Sequence, residues 1–265
     1  MSPIRRVTRA ILAAIAPAYP IVVALLAWEA FARFGAANPR LFPGLGAIGE
    51  QALVLLRGHQ LGPHLGASMT RVALGFGLAA LTGVPLGMLM SRSARFGRMV
   101  EPLFSVGYPV PRIALYPIAV FIFGIGHFSK VILIALECLY PIAVQTYYGT
   151  RNVNRLYVWS AQNMGASPAQ VFWKVIAPAA APHVFSGFRI ALPIAFIVTV
   201  LTEMVSSTEG LGWLILYASA SLVQARVFAS VVIVALIGFI ADRLLAALRN
   251  RLIFWERETV LVAIR

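Results

Sequence analysis

Three charged residues stand inside otherwise apolar stretches: Arg112 in "PVPRIALYP", Glu137 beside Cys138, and Glu203 in "LTEMVSS". A charge in such a setting is costly to bury and marks an ion or solute site, or a paired charge. Arg112 is flanked by Pro109, Pro111 and Pro117, which remove backbone donors and break the helical ladder. Broken backbone at that depth is tolerated where it is buried in protein or lines a cavity. Three readings of Arg112 stand. It faces a path and favours an anion, it forms an internal ion pair with Glu137 or Glu203, or it lies at a helix end. On a continuous helix it would lie roughly 16 Å beyond Glu101. Glu203 reads as lining a gate, with a helix-packing contact as the alternative. Glu137 reads as a structural pair partner and Cys138 as a small core residue.

Other chemistry finds no support. His59, His64, His127 and His183 have no metal-ligand spacing, and the single cysteine excludes a cysteine cluster. The sequence has no H-E-x-x-H and no G-x-S-x-G, so no hydrolase is indicated.

The elements that would carry these residues follow from composition. Of 265 residues, 60% are hydrophobic and 12% charged, with a mean hydropathy of +0.84. That is too apolar for an ordinary soluble domain. The net charge of +13 fits a nucleic-acid binder, but also the basic cytoplasmic loops of a membrane protein, and the apolar content decides for the second. Six stretches reach the roughly 20 apolar residues of a bilayer crossing: 14–34, 68–90, 102–124, 129–149, 184–206 and 227–248. The first lacks a small-residue cleavage site and is expected to remain as an anchor. The piece "GLGWLILYASASLV" at 210–223 is too short to span and reads as re-entrant or interfacial, and 46–62 as a short amphipathic helix. Gly83 and Gly87 form a small-x-x-x-small face for close helix approach, by internal packing or at a dimer interface. Trp28, Trp213 and Trp255 suit interfacial anchoring.

Basic residues set the orientation. Arg5, Arg6 and Arg9 precede the first span; Arg92, Arg95 and Arg98 follow the second; Arg151, Arg155 and Lys174 follow the fourth; Arg249, Arg251, Arg257 and Arg265 follow the sixth. Both termini are therefore expected in the cytoplasm. The longest cytoplasmic loop, 150–183, contains the mixed stretch "AQNMGASPAQVFWKVIAP" at 161–178. It reads as a helix that stops at Gly165, then a second helix capped by Ser167, opened by Pro168 and closed at Pro178. The apolar residues Val171, Phe172, Val175 and Ile176 need a partner, either the protein's own helix ends or a separate protein.

Gly165, Val175 and Pro178 keep the spacing of the back half of the cytoplasmic loop motif in ATP-binding-cassette (ABC) importer permeases. The surrounding "MGASPAQVFWKVIAPAAAPHVFSGFRIAL" resembles permeases of the nitrate, sulfonate, taurine and bicarbonate group. So do "LFPG" at 41–44, "SMTRVALGFGLAALTGVPLGMLMSRS" at 68–93, "EPLFSVGYPVPRIALYPIAVFIFGIGHFSKV" at 101–131 and "TEMVSSTEGLGWLI" at 202–215. The resemblance covers nearly the whole chain. One departure stands out: the family's loop begins with an acid and two small residues, where this chain has Trp159, Ser160 and Ala161.

The resemblance implies an all-α, six-span, MetI-like transmembrane domain of the type I importer fold over 63–250. The segment 1–62 would be the tail, first span and extracytoplasmic piece, and 251–265 a cytoplasmic tail. It implies that Trp159, Ser160, Ala161, Gly165, Ala166, Ser167, Pro168, Phe172, Val175 and Pro178 contact an ATPase dimer. The chain has no G-x-x-x-x-G-K-[ST] loop, so ATP and magnesium would sit on that partner, and no cofactor or metal on this chain. A second copy of the permease, an extracytoplasmic solute-binding protein and the lipid bilayer complete the implied partners; nucleic acid is not among them. The implied solute is small and anionic (nitrate, a sulfonate such as taurine, bicarbonate), or a vitamin precursor such as a thiamine pyrimidine. The residues implied for the path are Arg112, Pro111, Pro117, Glu137 and Glu203. An ion-coupled carrier would show internal repeats, which are not evident here. A scaffold subunit would need neither an intramembrane arginine nor a structured loop.

Overall fold

The computed structural model describes residues 19–35, 38, 41–58, 61–107 and 111–255. Arg5, Arg6, Arg9, Arg40, His59, Pro109, Arg257 and Arg265 lie outside them, as does the start of the first expected span. The described chain is helical, and it divides into two units.

The smaller unit comprises the chain up to Leu61 and Leu214–Ile233. Helix α1 (Tyr19–Ala30) runs into a π turn, Phe31–Gly35, and is followed by α2 (Leu45–Arg57). Glu29 ties the two helices together. Its carboxylate accepts from the Leu45 amide at 2.7 Å and from Arg33 Nε at 2.6 Å, so a negative charge sits at the positive start of α2. Trp28 is anchored as an amphipathic ring should be: its indole N–H donates to the Pro43 carbonyl at 3.1 Å while its face meets Phe228.

The larger unit holds Gly62–Trp213 and the chain from Val234. Its elements are α3 (Leu61–Arg92), α4 (Ala94–Gly107), a 3-10 turn (Arg112–Leu115) leading into α5 (Tyr116–Phe123), α6 (His127–Arg151), α7 (Arg155–Asn163), α8 (Pro168–Val171), a π turn (Phe172–Ile176), α9 (Ala177–Ser206), α10 (Leu211–Ala220) and α11 (Gln224–Leu252). The last two helices continue into both units. Among the described residues, four helical runs are long and apolar enough to cross a bilayer: Leu61–Arg92, His127–Arg151, Pro168–Ser206 and Gln224–Leu252.

Two expectations are corrected. The stretch 102–124 is not one continuous helix: Pro111 is extended, and a 3-10 turn begins at Arg112. Pro111, which has no backbone donor, accounts for the interruption, and the helical spacing of Arg112 from Glu101 no longer applies. The second loop helix also does not close at Pro178. It runs unbroken from Pro168 to Ser206, 39 residues. The π turn just before Pro178 widens the ladder where the proline can neither donate nor accept a close carbonyl. The loop helix and the fifth span are thus one rod, about 58 Å long at 1.5 Å per residue.

The core is the long contact between α6 and α9. Leu133, Ile134, Cys138 and Ile142 of α6 are fully buried against Ala191 and Ala195 of α9. On the other side α3 approaches α6 through glycine. A Cβ on Gly87 would stand 2.4 Å from the Ala143 carbonyl oxygen, and one on Gly83 3.0 Å from Ile142. The small-x-x-x-small face is therefore used for internal packing. Because the obstacle at Gly87 is backbone, it cannot rotate away. Gly87→Leu is expected to cost about 3 kcal/mol or more, at the upper end of overpacking, read as a lower unfolding temperature of the detergent-purified chain; an unchanged temperature would show that the helices are free to separate.

Candidate functional site

The beginnings of α3 and α6 and the end of α9 meet at one end of the larger unit, and their polar side chains interlock. Glu203 on the last turns of α9 is completely buried. Arg71 Nη1 donates to it at 2.6 Å, Ser68 Oγ donates to the carboxylate at 2.8 Å, and the Gly212 amide donates at 3.0 Å. Arg71 is itself only 2% exposed and spends its remaining donors on Glu209 Oε1 at 2.9 Å, the Glu209 carbonyl at 3.1 Å and His127 Nδ1 at 3.2 Å. His127 Nε2 lies 3.0 Å from the same Glu209 oxygen. These two contacts fix the neutral tautomer with its proton on Nε2, since Nδ1 must accept from Arg71. A desolvated ion pair is tolerated when its remaining polar atoms are matched, and among the described residues no buried side-chain nitrogen or oxygen lacks a partner.

The backbone after α9 is shaped to admit this cluster. Gly210 has φ +117°, and a Cβ there would stand 2.3 Å from the Glu203 carboxyl carbon; no other residue fits. A Cβ on Gly212 would meet the Val200 carbonyl oxygen at 2.2 Å, so the start of α10 folds back onto α9. That reversal agrees with the reading of 210–223 as a piece that does not span. His64 accepts from the Gly210 amide at 3.0 Å and stacks on Trp213 at 4.9 Å.

Beside the cluster lies an open pocket of about 360 Å³, lined by Arg71, Gly126, His127, Lys130 and residues 206–209, Glu209 among them. Lys130 is 1% exposed. Its ammonium donates to the Gly126 carbonyl at 3.1 Å and the Ser206 carbonyl at 2.9 Å, and stands 6.0 Å from the Tyr116 ring centre. The Tyr116 hydroxyl bonds Ser206 Oγ at 2.5 Å.

Arg112 takes Glu137, not Glu203, as its partner: Nε to Oε2 is 3.0 Å, with the guanidinium over Tyr140. Both side chains keep some exposure, 22% and 14%, so the pair borders open space. Pro111 and Pro117 are exposed on either side of the 3-10 turn. Glu203 is sealed and lines no open surface in this conformation. Arg71, Ser68, His127, Lys130 and Glu209 were not singled out from sequence. The signal was present for two of them, since Arg71 in "SMTRVALGFG" and Lys130 in "FSKVILIAL" are lone charges in apolar runs, as Arg112 is.

At the opposite ends of the same helices stands the mixed loop. Helix α7 is capped by Asn154, whose side chain accepts from the Leu156 amide at 3.0 Å. It stops at Gly165, whose φ of +83° is left-handed and strains any residue with a Cβ. Ser167 and Gln170 form a reciprocal capping box and Pro168 opens α8. Ala161 and Val171 are buried within the loop, and Phe172 is half-buried under Arg92, 5.1 Å from its ring centre. Val175 and Ile176 are half-buried as well. The apolar groups left open are not the expected Val171, Phe172, Val175 and Ile176 but Leu156, Tyr157, Trp159, Met164 and Trp173, each more than half exposed. The reason is the unbroken rod, which turns the expected set inward. Ser160, Gly165, Ser167 and Pro168 are exposed, Ala166 and Pro178 half-buried.

The chain is similar to known proteins over most of its length. The taurine transport system permease protein TauC of Escherichia coli (strain K12) is 34% identical over 244 residues, 90% of this chain and 88% of its own. The formylaminopyrimidine transport permease protein ThiX of Halalkalibacterium halodurans is 33% identical, covering 74% of this chain and 78% of its own. Among solved structures, an inward-facing MetNI methionine ABC transporter shares the fold with a TM-score of 0.58 at 20% identity, covering 74% of this chain and 96% of that one. Residues 83–254 match the family model for the binding-protein-dependent transport system inner membrane component, and this multi-pass chain, with its apolar rods, belongs to that family.

Proposed function

We propose that the chain is the permease subunit of an ABC importer and lines the path of a small anionic solute, of which taurine, the substrate named for a relative, is the model. The observation that carries this reading is the loop 150–183. A rigid, capped elbow presents five exposed apolar side chains and is continuous with a rod whose far end holds Glu203 and Ser206. A partner that grips the elbow moves the rod, and the rod moves the ionic cluster. In this reading the partner is an ATPase dimer that carries the ATP and magnesium, a second copy of the chain completes the pore, and a solute-binding protein delivers cargo from outside.

The grouping of helix ends supports the orientation. The ends expected outside carry the ionic cluster, and those expected inside, near Arg92, Arg151 and Phe172, carry the elbow. Both termini are then cytoplasmic. Trp159 stands where the resemblance to the family's loop motif implies an acid, and it is 54% exposed, so the docking contact there is apolar rather than ionic. Arg112 and Glu137, with Pro111 and Pro117, border the path as a paired group. The pair leaves no net charge to trap an anion.

The ThiX relative, a formylaminopyrimidine transport permease, favours a second reading of the cargo, a vitamin precursor such as a pyrimidine. Reconstitution of the chain in proteoliposomes with its ATPase and binding protein tests the function: labelled taurine should enter only with ATP, and entry through this chain alone, without ATP, would sink the importer reading. Entry of a pyrimidine and not taurine would move the cargo to the second reading.

A further inference from the structure

Arg189 and Arg243 fall inside the fifth and sixth expected crossings, within two helical turns of their inner ends. A charge at that depth is costly unless it is paired or reaches the headgroup level. The two arginines share a single carboxylate. Asp242 Oδ1 accepts from Arg189 Nε at 3.3 Å, and Oδ2 from Arg243 Nη2 at 3.1 Å. Each guanidinium thus spends one of its five donors there, and both side chains stay more than half exposed. The only other acid on α9 and α11 is Glu203, at the far end and committed to Arg71. One carboxylate against two guanidinium groups leaves a positive charge facing outward.

A cleft of about 180 Å³ opens at this pair between α9 and α11, lined by Phe185, Arg189, Arg243, Leu245, Arg249 and Asn250. Phe185 and Leu245 are half-buried, while Arg189, Arg243 and Asn250 are exposed, so an apolar floor carries a basic rim. An apolar strip leads away from the rim along α11: Leu236, Phe239, Ile240 and Leu244, each more than half exposed. Arg243 heads that strip, its guanidinium 5.0 Å from the Phe239 ring centre. An anion with a hydrocarbon tail matches both the rim and the strip; a bare anion matches the rim alone. A protein gripping the elbow does not reach the cleft, since Arg189 lies roughly 30 Å along the rod from Pro168.

We propose that this cleft binds the phosphate headgroup of an anionic phospholipid of the inner leaflet, with Arg189 and Arg243 as its cations and an acyl chain along the strip of α11. Guanidinium forks match phosphate oxygens, and basic pockets between membrane helices on the cytoplasmic side hold such headgroups. The inference rests on the cytoplasmic placement of these helix ends and is separate from cargo and coupling.

Native mass spectrometry of the detergent-solubilised full chain tests it, with dioleoylphosphatidylglycerol and dioleoylphosphatidylcholine, which share their chains and differ in headgroup charge. The first phosphatidylglycerol should bind about tenfold more tightly, the value of one charge-assisted hydrogen bond. Arg189→Gln with Arg243→Gln should remove that preference. Arg95→Gln with Arg98→Gln, the same charge taken from α4, should keep it. Asp242→Asn should sharpen the preference, because the carboxylate that competes for both guanidinium groups is gone; a merely structural ion pair would give a loss. Glycerol phosphate should not displace the lipid. Equal affinity for the two lipids, or a preference lost equally in the α4 variant, overturns the site. Displacement by glycerol phosphate would make it a site for a soluble phosphate and overturn the lipid assignment. Arg243→Cys chains that crosslink to each other in native membranes would give the face to a second copy and overturn it too. ATP-driven uptake is measured separately, so none of these failures touches the importer reading.

Discussion

Replacing Glu203 by alanine should destabilise the protein by about 3–5 kcal/mol, the range for breaking a buried ion pair from one side. The loss is not that of a contact but of a partner. Arg71, 2% exposed, would keep its charge in the interior with only Glu209, itself half-open, to answer it. The Ser68 hydroxyl and the Gly212 amide would lose their acceptor as well, and an unmatched buried donor costs roughly 1–3 kcal/mol. Glu203→Gln keeps an acceptor and should cost less. Removing both charges, Arg71→Met with Glu203→Gln, should cost less than the sum of the single changes. Unfolding temperature and detergent-extracted yield of the four proteins decide it. Additive losses would mean that the pair is not a unit.

The second large effect concerns the rod. Two glycines inserted between Ile176 and Ala177 should abolish ATP-driven uptake while leaving the protein folded and in the membrane. Each glycine costs a helix about 1 kcal/mol, a small amount beside the packing of α9 on α6, so the span stays in place. What is lost is the stiffness between elbow and span. The π turn at Phe172–Ile176 is already the least regular point of the rod, and the native chain keeps it helical through Pro178. Uptake in vesicles, normalised to permease content, is the readout; native uptake would mean that force does not travel along this helix.

The two corrections show where sequence reasoning stops. Four of the six expected crossings coincide with helices long and apolar enough to span a bilayer, because twenty consecutive apolar residues are a local property. The interruption at Pro111 was only half legible: the prolines around Arg112 mark a broken ladder, yet the apolar run 102–124 still read as one crossing. Pro178 misled because its effect depends on the turn before it; a π turn absorbs what an α turn rejects. The capping box at Ser167 and the turn at Gly165 were readable, being contacts within four residues. The ionic cluster was not. Glu203 finds Arg71 at a separation of 132 residues, and nothing local distinguishes that partner from Arg112. Arg71 and Lys130 each vanish into a hydrophobic window, although the rule that singled out Arg112 applies to both.

The central claim is that the elbow couples a partner's ATP hydrolysis to movement of this chain. The ratio of solute taken up to ATP hydrolysed, measured in the same proteoliposomes for the native complex and for Gly165→Arg, tests it most directly. At φ +83° an arginine strains the turn and re-aims α8, so uptake should fall to the level without ATP while hydrolysis continues. An unchanged ratio in a fully assembled Gly165→Arg complex would contradict the account.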